Sequence, residues 1–136
     1  AADEAIIVTT PEPTAITDAY GIIKIIATEI DNLNLGLKLV VNRVKSVTEG
    51  KKVAERVINI AGQFLNLKVD YLGYVYEDQG VHQAVLKQKP FMFTDPKGKA
   101  AICVQHLVGR LERVDVADTG GFGRFLKKLF GRIDQG

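Results

Sequence analysis

With a single cysteine, Cys103, the chain of 136 residues has no internal disulfide available to it. Only two histidines are present, so a zinc site of the usual Cys/His composition is not expected. Cys103 lies in an apolar helical run, where it is expected to pack as a small core residue, and a lone thiol suits a reducing cytoplasm. No apolar run reaches the roughly eighteen residues that a bilayer crossing requires, and no signal peptide is recognisable. The net charge of +2 is too small to argue for nucleic acid. A phosphate loop of the form G-x-x-x-x-G-K-[ST] is missing, as is any Ser-His-Asp or Cys-His arrangement with suitable surroundings. No catalytic residue and no metal ligand is therefore assigned. The chain also begins without Met, at Ala1-Ala2-Asp3-Glu4 directly before a strand, and reads as a fragment.

What is present is the pattern of a folded α/β chain, 46% apolar with charges of both signs. Its length suits one domain. Gly36-Leu37-Lys38-Leu39-Val40-Val41 is a short apolar run that ends in Asn42-Arg43-Val44 and reads as a strand buried on both faces of a parallel sheet. Ala5-Ile6-Ile7-Val8-Thr9-Thr10 gives a second strand, closed by Pro11-Glu12-Pro13, and Leu67 to Tyr76 a third, with Gly73 allowing a neighbour to come close. Between them lie two helical patterns. The first carries Ile16, Tyr20, Ile23, Ile26 and Ile30, and the second Val53, Val57, Ile60, Ala61 and Phe64. Strands alternating with helices imply βαβ units and parallel pairing. Gln79 to Lys89 is predicted to be a short helix with Val81, Val85 and Leu86 inward. Asp95-Pro96-Lys97 then caps a last core helix whose apolar face is Ala100, Cys103, Val104, Leu107, Val108 and Leu111. The fold class is α/β, a partial doubly wound parallel sheet of about three strands with flanking helices. Three strands leave at least one sheet edge to be covered by others, so the chain reads as the later half of a larger domain.

In open α/β sheets, ligands bind beyond the carboxyl ends of the strands. Asn42-Arg43 follows the central strand and Tyr76-Glu77-Asp78 the third, which brings an amide, a guanidinium, an aromatic face and two acids to one crevice. Asn42 has the donor and acceptor needed to pair with an adenine edge, although spacing alone favours a cap on the turn after its strand. His82 and His106 are expected to face solvent or a neighbouring element, with no role as a base.

Four segments in order, Val8-Thr9-Thr10-Pro11-Glu12-Pro13-Thr14-Ala15-Ile16-Thr17-Asp18-Ala19-Tyr20, Val40-Val41-Asn42-Arg43-Val44, Leu72-Gly73-Tyr74-Val75-Tyr76-Glu77-Asp78 and Gln88-Lys89-Pro90-Phe91, resemble the C-terminal half of MinD/ParA-type deviant P-loop ATPases. The run Asp18-Ala19-Tyr20-Gly21-Ile22-Ile23-Lys24 with Phe64-Leu65 is most similar to the flagellar-number regulators of the FlhG/FleN type. The resemblance implies an ATPase parent that uses ATP/ADP and Mg. Asn42, Arg43, Tyr76, Glu77 and Asp78 would form its adenine site, and Pro11, Glu12 and Asp18 would lie near its nucleotide-dependent dimer face. Many members carry Pro where this chain has Tyr76. The family's phosphate loop and magnesium acids lie outside this sequence, so the chain alone is not expected to hydrolyse ATP.

The expected domain layout is an ATPase half at 1–117, a hinge at 118–121 and an amphipathic helix at 122–134. Phe122, Phe125, Leu126, Leu129, Phe130 and Ile133 recur at i, i+3, i+4, i+7, i+8 and i+11 as one apolar stripe, and Arg124, Lys127, Lys128 and Arg132 take the remaining faces. Only Asp134 opposes these cations, which leaves a local charge of +3. Gly123 and Gly131 each cost a lone helix about 1 kcal/mol, so the tail is expected to order only against an apolar surface. Each cation near an anionic leaflet contributes about 1 kcal/mol, at most ~4 kcal/mol in all, and two tails in one dimer bind far more firmly than one. MinD-type proteins carry such a membrane-targeting helix, so the expected partners are an anionic membrane surface, a second copy in the parent's ATP-dependent homodimer, and flagellar or division regulatory proteins. The expected place is the cytoplasm, peripheral at the inner face of the cell membrane. A stand-alone α/β interaction module without nucleotide, its tail docking on a partner protein, is the alternative. A fragment with an open edge would form an edge-paired or swapped oligomer.

Overall fold

The order of elements is β1 (Glu4–Thr9), α1 (Pro13–Glu29), β2 (Gly36–Val44), α2 (Val47–Leu65), β3 (Val69–Tyr76), α3 (Gln79–Leu86), α4 (Phe91–Thr94) and α5 (Lys99–Val114). They are seen in a computed structural model that describes residues 4–29 and 36–114. The chain divides into two compact units, Ala1–Glu77 and Asp78–Gly136.

In the first unit the three strands pair in the order β1-β2-β3, all parallel, which makes α1 and α2 the crossover connections. The two helices touch each other, α1 packs on β1, and α2 packs on β2 and β3, so both lie on one face of the sheet. Leu39, Val41 and Val44 of β2 meet Ile7, Ile23, Val57 and Ala61 there. Leu39, Val41, Val44 and Ile23 are the largest fully buried side chains, each worth roughly 1.5–3 kcal/mol of burial. The central run reads as expected, since Leu37 to Val41 are all buried. On β1 only alternate residues are covered: Ile7 and Thr9 face the helices, whereas Ile6 and Val8 remain exposed.

Two departures from a regular ladder shape β2. Leu39 pairs with Tyr71 but Val40 with Gly73, an extra residue on β3 that Gly73 accommodates at φ 156°. Val41 then pairs with Tyr74 and Val44 with Tyr76, an extra residue on β2. The strand therefore continues to Val44 instead of ending at Val41. Helix α2 starts where Ser46 accepts from the Glu49 N–H at 3.1 Å while Glu49 Oε1 accepts from the Lys45 N–H at 3.0 Å, a reciprocal cap. Phe64, expected inward, is exposed at the end of α2, and its neighbour Leu65 packs against the core in its place. Ile30 lies outside the described residues.

The second unit corrects the reading of α3. Its buried residue is Ala84, while Val85 and Leu86 are 68% and 70% exposed, because the small side chain marks the inward face and the larger ones fall outside it. The four-residue helix α4 is too short for a periodic signal. In α5 the expected face holds: Ala100 and Cys103 are buried and Val104, Leu107, Val108 and Leu111 are half-buried. Both histidines are exposed.

An ion pair lies within the apolar sheet. Lys38 Nζ reaches Glu4 Oε1 at 2.6 Å, with side chains 10% and 31% exposed, and ties β1 to β2 near their amino ends. A buried pair of this kind adds little over an apolar substitute, but breaking it strands a charge. Glu4→Ala strands the buried Lys38 ammonium and should lower unfolding free energy by about 3 kcal/mol, whereas Lys38→Met strands only the Glu4 carboxylate, 31% exposed to water, and should cost less. Urea unfolding of both variants distinguishes them, and equal losses would show that the carboxylate is as costly to strand as the ammonium.

Candidate functional site

The bulge at the carboxyl end of β2 expels Asn42 and Arg43 from the ladder. Arg43 has φ 58°, a left-handed conformation that a non-glycine residue adopts at a cost, and the Asn42 side chain supports it by accepting the Arg43 N–H at Oδ1, 2.9 Å away. Immediately after the bulge, the Val44 carbonyl accepts the Glu77 N–H at 2.9 Å, which extends the β2–β3 pairing into the loop after β3. Asn42 therefore caps the bulge, the first of the two readings open in the sequence, and it lies within β2, two residues before the strand ends at Val44.

Arg43 then gathers the neighbouring loops. Its Nη2 lies 3.3 Å from Glu77 Oε1 and its Nη1 3.8 Å from Glu12 Oε1. One guanidinium therefore spans acids that follow β3 and β1, so the carboxyl ends of all three strands contribute to one cluster. All three side chains are well exposed, and each pair contributes at most about 1 kcal/mol. Tyr76 is half-buried and packs against the core, its ring 5.2 Å from that of Tyr74 at 70°. Pro11 is half-buried, and the Glu12 carbonyl accepts the Ile16 N–H at 3.1 Å to start α1. Asp18 stands exposed on the second turn of that helix.

Thr10 is the residue that sequence reasoning missed here. Its Oγ1 is buried at the end of β1 with no hydrogen-bond partner among the described residues. Such an atom costs roughly 1–3 kcal/mol unless something else satisfies it. The only signal in the sequence was its place between a strand and Pro11.

Asp78 opens the second unit, and its carboxylate is committed there. Oδ1 accepts the Gly80 N–H at 2.8 Å at the start of α3, and Oδ2 accepts the Ala100 N–H at 3.1 Å in the first turn of α5. It caps two helices, a role the sequence reading gave to Asp95-Pro96-Lys97 for α5. A Cβ at Gly80 or Gly98 would run into the Asp95 carboxylate, which would have to turn away to admit it. The backbone N–H groups of Ala100 and Gly80, with Lys99 nearby, hold the Asp78 carboxyl below its ordinary value of 3.8. Of the expected adenine-site residues, the first unit brings together Asn42, Arg43, Tyr76 and Glu77, with Glu12 of the expected dimer face beside them. The expected membrane-binding residues, Phe122 to Ile133, lie outside the described residues. Among the described residues no group of three or more His, Cys, Asp or Glu could hold a metal ion, and no helix is long and apolar enough to cross a membrane.

No family model matches the chain. It is 29% identical over 112 residues to "Antiactivator FleN" of Pseudomonas aeruginosa, covering 82% of this chain and 39% of that protein. It is 31% identical over 137 residues to "Flagellum site-determining protein YlxH" of Helicobacter pylori, covering 98% and 45%. It is 34% identical over 112 residues to "Septum site-determining protein MinD" of Bacillus subtilis, covering 81% and 39%. The crystal structure of the cell division ATPase MinD of Pyrococcus furiosus superposes with a TM-score of 0.59 at 24% identity, over 82% of this chain and 43% of that one. The chain thus spans less than half the length of the relatives it matches.

The double cap has a measurable consequence. Asp78→Ala should cost about 2 kcal/mol, about 1 kcal/mol for each helix start, in urea unfolding at neutral pH. Because the folded carboxyl lies below 3.8, its contribution is complete above that value and is lost as pH falls through the folded value. The stability gap between the native chain and Asp78→Asn should therefore shrink in acid. A gap independent of pH would show that the charge on Asp78 plays no part.

Proposed function

Since the chain belongs to the MinD/ParA-type group of P-loop ATPases, in its FlhG/FleN-like branch, we propose that it is the C-terminal portion of a cytoplasmic, ATP-dependent spatial regulator that associates with the membrane as a dimer. It supplies the adenine-binding loops and the membrane anchor, and flagellar number or placement is the process it serves. The observation that most directly supports the site is the reach of Arg43 to both Glu12 and Glu77, which links the segment before α1 to the loop after β3.

The proposed roles follow from the chemistry present. Asn42 presents its amide to the adenine edge, its carbonyl keeping a second lone pair beyond the bond to the Arg43 N–H. Tyr76 and Glu77 line the other side, Arg43 lies across the ring, and Asp78 fixes the path of the loop through its two caps. Pro11, Glu12 and Asp18 form part of the dimer face. The buried Thr10 hydroxyl, the exposed Ile6 and Val8 and the unmatched length of the relatives support a reading in which further strands and the phosphate loop complete the domain. ATP with Mg would be held by those further residues and would supply the switch between monomer and dimer. The tail from Phe122 to Ile133 then anchors the dimer on anionic lipid, with the cations on its flanks.

Two measurements test the two parts separately. Asn42→Ala in the intact ATPase should weaken a fluorescent ATP analogue roughly tenfold while leaving the circular dichroism unchanged. Undiminished affinity would remove Asn42 from the site. Phe125→Asp with Leu129→Asp should abolish co-sedimentation with anionic liposomes, and the tail assignment fails if those vesicles still carry the variant down.

A further inference from the structure

Helix α3 turns its larger side chains to solvent. Ala84 is its buried residue, and at about 100° per residue His82 and Leu86 stand on the opposite side of the axis with Val85 beside them, all three exposed. The surface continues past the helix. Phe93 of α4 is 50% exposed, α4 packs on α3, and the segment that joins them carries the exposed Lys87 and Lys89. From Gln79 to Thr94 the sequence holds no acid. The acids at either end are turned to the fold: Asp78 caps α3 and α5, and the Asp95 carboxylate lies against Gly80 and Gly98. The turn itself is closed by its own hydrogen bonds. The N–H groups of Lys87, Gln88 and Lys89 donate to the carbonyls of Gln83, Val85 and Ala84, each at 3.0 Å, and Pro90 has no N–H to satisfy. Such a turn enters a lipid interface without stranding these donors.

We infer that the α3–α4 turn is a second lipid contact, seated on an anionic leaflet with Leu86 and Phe93 at the headgroup boundary and Lys87 and Lys89 against the phosphates. The inference rests on the reading of the chain as membrane-associated and adds a contact outside its tail. Lipid suits this surface better than a protein does, because lysine is depleted at protein interfaces and favoured beside apolar residues at membrane surfaces. The lack of acid points the same way, since no carboxylate of the segment repels the leaflet. The tail remains the main anchor. Once it holds the chain at the surface, the turn meets lipid at high effective concentration, so a contact too weak to act alone strengthens the whole.

The test places an environment-sensitive fluorophore at position 86 of the full chain through Leu86→Cys, the natural Cys103 being buried. Phosphatidylcholine vesicles with and without phosphatidylglycerol are then added. The expected result is a blue shift with the anionic vesicles alone. In co-sedimentation with those vesicles, Leu86→Gln with Phe93→Gln should weaken binding roughly tenfold, and Lys87→Gln with Lys89→Gln should weaken it and flatten its salt dependence. Because these residues are exposed, the variants keep their fold, which circular dichroism checks. The two readings fail separately. A label that stays in water while the chain sediments overturns the second contact and leaves the tail reading standing. A blue shift that persists in Phe125→Asp with Leu129→Asp supports the turn and removes the tail, and a chain that binds no vesicle overturns both. Equal binding to neutral vesicles, or variants of the turn that sediment as before, would also overturn the proposal. So would a blue shift without lipid: one that grows with protein concentration would make the occupant a second copy, and one that the tail variant removes would make it this chain's own tail.

Discussion

Hydrogen bonding along β2 is the constraint on which the rest of the first unit depends. The strand is paired on both sides and buried from Leu37 to Val41, and a slip of one residue would turn Lys38 into the core that Leu37, Leu39 and Val41 fill and part it from Glu4. It nevertheless accepts two register shifts. The first, at Gly73, is absorbed on β3, and the second places Asn42 and Arg43 outside the ladder while Val44 resumes pairing with Tyr76. The local cost is a left-handed Arg43. What offsets it is the bond from the Arg43 N–H to Asn42 and the resumed ladder, which ends in the Glu77 N–H on the Val44 carbonyl.

The elements with strong periodicity were legible in the sequence. Three β-branched runs separated by helical patterns sufficed for a parallel α/β sheet, because parallel neighbours demand crossovers of that length. Asn42-Arg43 was expected beyond the strand end but lies within β2, in the bulge before Val44, while the nearness of Arg43 to Glu77 was legible from adjacent strands. The bulge itself was not. A bulge depends on how one strand's residues count against its neighbour's, and neither strand shows that alone. The same holds for Lys38, which reads as a polar break in an apolar run until Glu4 is set beside it across the ladder.

The second unit was read less well, for a different reason. Helix α3 is only eight residues long, so two apolar faces fit its pattern equally, and the choice fell to Ala84, whose inward position a hydrophobicity count underrates. Asp78 precedes α3, where local chemistry predicts a cap for that helix alone. Its second bond, to Ala100, spans 22 residues, and nothing in the sequence near Lys99 announces it. Asp95, the nearer candidate, contributes its backbone instead, accepting the Gly98 N–H at 3.1 Å.

These two kinds of contact divide the chain's acids into those that build and those that can move. Asp78 holds two half-buried backbone N–H groups, and releasing it uncaps two helices, so it is suited to fixing a loop and unsuited to exchange with a ligand. Glu12 and Glu77 hold Arg43 through pairs exposed to water, each worth no more than about 1 kcal/mol, and both pairs can break without disturbing the ladder beneath them. The guanidinium of Arg43 is therefore positioned yet cheaply displaced, which is what the proposed adenine site requires of it. Moving it alters the surroundings of Glu12 at the start of α1 and of Glu77 after β3 together, because the same group holds both. The bulge, held by the Asn42 side chain and the resumed ladder, fixes where the Arg43 backbone sits, and the weakness of the outer contacts leaves its guanidinium able to move.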